Sequence, residues 1–153
     1  MRQGSRRRFA AFAIVAAALT AGCGGGSEEP AEESAAPSEI NVTADEFSFE
    51  LSDTPAAGQT TFTLENVGEQ PHVLILAKLA EDATAEEAIK AQGRKGTTES
   101  FDELEARPGE TAEGTIDTDL TPGNYLMVCP VPDEKTKKPH FALGQQEEFE
   151  ITD

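Results

Sequence analysis

The chain of 153 residues has no tryptophan, one tyrosine, two cysteines, two histidines and two methionines. Two cysteines make at most one bridge, so a small scaffold held by several disulfides is excluded. Basic residues are scarce as well: 12 Lys and Arg against 29 Asp and Glu give a net charge of −17. Four of those twelve, Arg2, Arg6, Arg7 and Arg8, lie in the first 22 residues, which hold no acid. Without them 8 basic residues face 29 acidic ones, a charge of about −21. Such a surface repels phosphate backbones and anionic headgroups alike. Nucleic-acid binding and charge-driven membrane adhesion are therefore excluded. Long apolar runs are missing too, since Phe9 to Leu19 amounts to 11 residues and a spanning helix needs about 20.

That short run behind an arginine cluster has the layout of a secretory signal. It ends Leu19-Thr20-Ala21-Gly22-Cys23, which resembles a bacterial lipoprotein signal, where the cysteine is acylated and becomes the new first residue. Ordinary cleavage nearby would instead leave Cys23 as a spare thiol. Its place directly after Ala-Gly and before Gly24-Gly25-Gly26 favours the lipid. Ser5-Arg6-Arg7-Arg8-Phe9 is similar to a twin-arginine export signal, and reads equally as a plain basic leader. The acidic, Ala/Pro/Ser-rich stretch to Ser38 has no apolar period and forms a self-repelling tether. The expected division is a signal peptide over 1–22, a lipidated Cys23 with its linker over 23–38, and one domain over 39–153. That domain is long enough to close a single core. Its expected place is outside the cytoplasm, lipid-anchored at the cell surface or periplasmic side of a bacterial envelope.

Within the domain the apolar period is two. Ile40, Val42 and Ala44 alternate with polar residues, as do Phe47, Phe49 and Leu51. Further strands are expected at Thr60–Leu64, His72–Ala77, Thr111–Ile116, Tyr125–Cys129 and Glu147–Ile151, separated by Pro/Gly turns. Seven or so short strands of this kind predict an all-β antiparallel sandwich. One insertion breaks the pattern. Thr84-Ala85-Glu86-Glu87 has the form of a capping box and predicts a short helix of two to three turns ending at Gly93. Ser100 to Leu104 is expected to dock as an extended piece over one end of the core.

The scarce residues cluster. Asn66-x-Gly68-x-x-Pro71-His72 lies upstream. Gly123-Asn124-Tyr125-Leu126-Met127-Val128-Cys129-Pro130 and Pro139-His140-Phe141-Ala142-Leu143-Gly144-Gln145 close the domain. Together they resemble a cupredoxin, the blue-copper Greek-key β-sandwich, and in particular bacterial secreted cupredoxin-like lipoproteins. The resemblance implies one type 1 copper ion held by His72, Cys129 and His140. Gln145 stands where the family usually has Met, at a spacing similar to the stellacyanin-like branch. Trigonal His₂Cys coordination with a weak fourth bond suits both copper oxidation states. With Cys23 acylated, Cys129 is the free thiol such a site needs. A glutamine carbonyl at the axial position favours the oxidised metal, so a lower reduction potential than in a Met-ligated relative is expected. Backbone N–H groups near Asn66 and the Cys129 loop are expected to steady the thiolate.

Two features depart from the family. Ten residues, Pro130 to Pro139, separate Cys129 from His140 where two to four are usual, which predicts a looser loop despite its prolines. Gln145 replaces Met. Zinc suits the same ligands, and an empty site is the remaining alternative. The leading expectation is a monomeric, non-enzymatic electron-transfer or copper-holding protein, with a redox partner that is basic. The rival is a metal-free sandwich acting as an interaction module. A Cys/His hydrolase is disfavoured, because no nucleophile turn, orienting acid or oxyanion hole accompanies Cys129.

Overall fold

The computed structural model describes residues 37–152. The signal segment, the Cys23 lipid site and the linker as far as residue 36 lie outside them. Among the described residues no helix is long and apolar enough to cross a membrane.

Eight strands form two four-stranded sheets. The first has the order β2-β1-β3-β6 and comprises β1 (Ser38–Asp45), β2 (Ser48–Leu51), β3 (Gly58–Asn66) and β6 (Ile116–Leu120). The second has the order β5-β4-β7-β8, from β4 (His72–Leu79), β5 (Thr97–Ala106), β7 (Gly123–Val128) and β8 (Gln146–Ile151). All neighbours are antiparallel except β1 and β3, which pair in parallel from Ser38–Thr60 to Ala44–Asn66. The alternation in sequence sets the inner faces. Ile40, Val42 and Ala44 of β1 and Phe62 and Leu64 of β3 meet Leu74 and Leu76 of β4 and Met127 of β7 in one buried core. Truncating a side chain such as Leu74 to Ala would cost about 2–5 kcal/mol. Tyr125, the lone tyrosine, stacks on Phe149 with ring centroids 5.3 Å apart. Its hydroxyl donates to Thr121 O and accepts from Thr121 N, so the ring is buried and its polar tip is satisfied.

The capping box forms as expected, with Thr84 and Glu87 bonded reciprocally, but helix α1 (Ala85–Lys90) is only six residues long. Gln92 and Gly93 take positive φ directly after it, and the Gly93 N–H bonds back to Ala88 O, closing the helix early. Ala85 and Ala88 seat it against Leu79 and Leu126 on the outer face of the second sheet. Two strand expectations need correction. Residues 100–104 are the middle of β5, a ten-residue edge strand laddered to β4, not a piece laid over the core. The expected strand over 111–116 is displaced to Ile116–Leu120. Gly114 sits at a φ of 103°, and Thr111 keeps only an isolated bridge to Glu65.

Candidate metal centre

Four predicted residues come together where strand ends meet. His72 is the first residue of β4, Cys129 directly follows β7, and Gln145 directly precedes β8. The β4–β7 and β7–β8 ladders carry these ends to one edge of the sandwich, and the Cys129 N–H bonds to Gln145 O as the next rung. His140 opens a 3₁₀ turn, His140–Leu143, between them. All four side chains are buried.

Asn66 presents His72. Its amide donates to Gln70 O and Ala106 O, and its Oδ1 accepts from Gly68 N, so one side chain braces the whole β3–β4 turn. Its side chain makes no bond to sulfur. The Val73 N–H lies 3.4 Å from Sγ, and the Val131 N–H of the Cys129 loop also faces the thiol. The loop thus contributes as expected, and the start of β4 takes the place of the residues near Asn66.

The long spacer between Cys129 and His140 is not loose. His140 N bonds to Val131 O and Phe141 N to Cys129 O, pairing the two ends of the spacer as a ladder. The intervening residues fold on themselves as a hairpin closed at Pro132 and Pro139. Asp133 holds its tip: its N–H bonds to Lys138 O, its O accepts from Lys137 N, and its carboxylate accepts from Thr136 N. Gln70 clamps the hairpin to the β3–β4 turn through Asp133 Oδ1 and Glu134 N. The extra residues are thereby looped out, and Cys129 meets His140 as it would across a short connection.

The donor atoms converge. The two Nδ1 atoms lie 3.2 Å apart, with Cys129 Sγ 3.4 Å from His140 Nδ1 and 4.0 Å from His72 Nδ1. A point equidistant from three atoms so spaced lies about 2.1 Å from each, close to the roughly 2.0–2.1 Å that nitrogen ligands and the roughly 2.3 Å that sulfur ligands give a first-row metal. Gln145 completes the test. Its Nε2 donates to Asp45 O at 3.1 Å and Ser48 O at 3.2 Å, two acceptors that only an amide N–H can satisfy. That fixes Oε1 as the other end, buried and without a hydrogen-bond partner. Two aromatic nitrogens, a thiol and an orphaned carbonyl oxygen fit a type 1 copper ion.

Burial disfavours charge on Cys129 and His140. Burial pushes the Cys129 thiol up, against the N–H groups of Val73 and Val131. Burial, then the adjacent His72, hold His140 below the usual imidazole value. At neutral pH the His140 ring is uncharged.

Two residues of the β1–β2 turn escaped the sequence reading. Phe47, expected within a strand, leaves the ladder and lays its ring against His140 with centroids 4.8 Å apart. Glu46 reaches under His72, with Oε1 3.4 Å from Nε2. Burial raises its pKa, but hydrogen bonds from Gln70 and Glu69 prevail and leave it below the ordinary carboxylate value. One acid among 29 carries no local signal.

Among solved structures the chain is similar to auracyanin from the photosynthetic bacterium Roseiflexus castenholzii, in its dithionite-reduced form. The identity is 25%, the TM-score 0.53, and the match covers 77% of this chain and 99% of that one. The fold is cupredoxin-like. Auracyanin A, described as a "blue" copper protein from Chloroflexus aurantiacus, aligns at 22% identity and a TM-score of 0.50, over 76% of this chain and all of its own length. Auracyanin B aligns at 17% identity and a TM-score of 0.53, over 76% of this chain and 89% of the other. No family model and no curated protein matches the chain.

Proposed function

We propose that this protein is a type 1 copper protein that transfers single electrons or holds copper, without catalysing a reaction of its own. The observation that supports this most is the convergence of His72 Nδ1, His140 Nδ1 and Cys129 Sγ in a buried group with sides of 3.2–4.0 Å. Copper bound there would supply reversible one-electron chemistry, since a His₂Cys set with a weak fourth donor suits both oxidation states. The chain's own residues do the rest. Cys129 gives up its thiol proton on loading, and the Val73 N–H then faces the thiolate it stabilises. The two histidines aim their Nδ1 atoms into the group from strand and turn positions. Gln145 is held by two backbone carbonyls, and its Oε1 would be the fourth donor to the ion. Phe47 covers His140 and keeps water from the ring.

Lipid attachment at Cys23, export from the cytoplasm and a basic redox partner complete the proposal. They rest on the leader, on the cysteine after Ala21-Gly22 and on the acidic surface. The first test is spectroscopic. Titration with Cu(II) should yield an intense blue thiolate-to-copper band that Cys129→Ala abolishes. A protein that stays colourless overturns the reading and leaves the metal-free module in its place.

A further inference from the structure

His72 has two ring nitrogens, and only one is accounted for by the ligand group. The other, Nε2, is fully buried and has no hydrogen-bond partner of good geometry. The charged atom that faces it is Glu46 Oε1, at 3.4 Å. That carboxylate is seated by construction. Oε1 accepts from Glu69 N and from Gln70 N, each at 2.8 Å. Gly68 closes the seat from the third side: a Cβ there would lie 2.6 Å from the same oxygen. The turn that delivers His72 is thus built around the Glu46 carboxylate.

We propose that Glu46 is the positioning residue of the centre: it selects the Nε2–H tautomer of His72 and turns Nδ1 toward the metal. The inference rests on the reading of His72 as a ligand and names what determines its orientation. A ring that ligates through Nδ1 carries its one N–H at Nε2, and an ionised carboxylate accepts but cannot donate. Opposite Glu46, Nε2 is the nitrogen placed to carry the hydrogen, which leaves Nδ1 as the ligating atom. The opposite tautomer would set two acceptors face to face at 3.4 Å in a buried place and would block the ligating nitrogen with a proton. A carboxylate behind a ligating imidazole also makes it a better donor, and loss of such a partner typically lowers metal affinity about 10–100-fold.

The experiment separates this inference from the copper reading. Long-range ¹H–¹⁵N correlation spectra of the metal-free protein should find His72 as the Nε2–H tautomer. Glu46→Ala should move it toward the Nδ1–H form, and Glu46→Gln, whose Oε1 still accepts, should restore it. In Cu(II) competition titrations Glu46→Ala should weaken binding about 10–100-fold, with Glu46→Gln nearer the parent protein. A wild-type His72 in the Nδ1–H form overturns the inference. So does a Glu46→Ala protein whose tautomer and affinity both match the parent. Should Glu46→Ala fail to fold, the wild-type tautomer and the Glu46→Gln protein decide alone. A protein that binds no copper defeats the function proposed above, and the tautomer measurement still tests Glu46.

Discussion

Gln145 shows how much one side chain can specify. Its Nε2 spends both hydrogens on Asp45 O and Ser48 O, so the oxygen that faces the ligands is fixed by the turn between β1 and β2. Replacing it with Met removes both bonds and exchanges a carbonyl for a softer thioether. Gln145→Met should raise the reduction potential of the copper form, measured by protein-film voltammetry. It should also lower the stability of the metal-free protein by on the order of 1 kcal/mol in urea unfolding, because two carbonyls lose a donor. A potential that stays put or falls would remove Gln145 from the ligand set. The identity of this residue was legible from its spacing after His140, because the turn joining them is local. Its orientation was not, since the carbonyls that fix it lie about 100 residues away in the chain.

Among the elements, the hairpin at 132–139 depends on a strongly shifted carboxylate. Hydrogen bonds from Thr136 hold the Asp133 carboxyl at about 2, well below its ordinary value. A folded value below the unfolded one means that the contribution is complete above about pH 4 and is lost as pH falls through about 2. The Thr136 amide, 2.6 Å from Asp133 Oδ2, should report this by NMR with a midpoint near 2. Asp133→Asn should erase the transition and loosen the hairpin while the two sheets stay intact. A midpoint near 4 would mean that the carboxylate is free. Local signals made some elements readable: the capping box at Thr84 and Glu87 lies within one turn and formed as expected. β5 was hidden because Thr97–Ala106 carries four acids, Glu99, Asp102, Glu103 and Glu105, and acids are depleted in strands. It is a strand because it lies on an edge, with its charged side in water and Leu104 and Ala106 turned inward. The looping-out of the spacer was equally hidden. It depends on His140 reaching Val131 and on Gln70 reaching Asp133 from another part of the chain.

At the scale of the molecule, charge governs encounter. The net charge of −17 creates a field that attracts cationic proteins and repels anionic ones at a distance. Electron exchange with a small basic redox protein should slow several-fold as ionic strength rises from about 0.01 to about 0.15 M, followed by stopped-flow absorbance. An acidic partner should show the opposite trend. A rate indifferent to salt would remove steering from the account. The centre also has a bearing on time. Cys129 meets His72 across 57 positions of the chain, and Gln145 bonds back to Asp45 across 100. Contacts of such separation carry the heaviest loop-closure entropy, so they are expected to close after the local turns and after the sheets have found their register. The pocket is then a late product of folding, and an ion captured in it marks a finished chain instead of seeding an unfinished one.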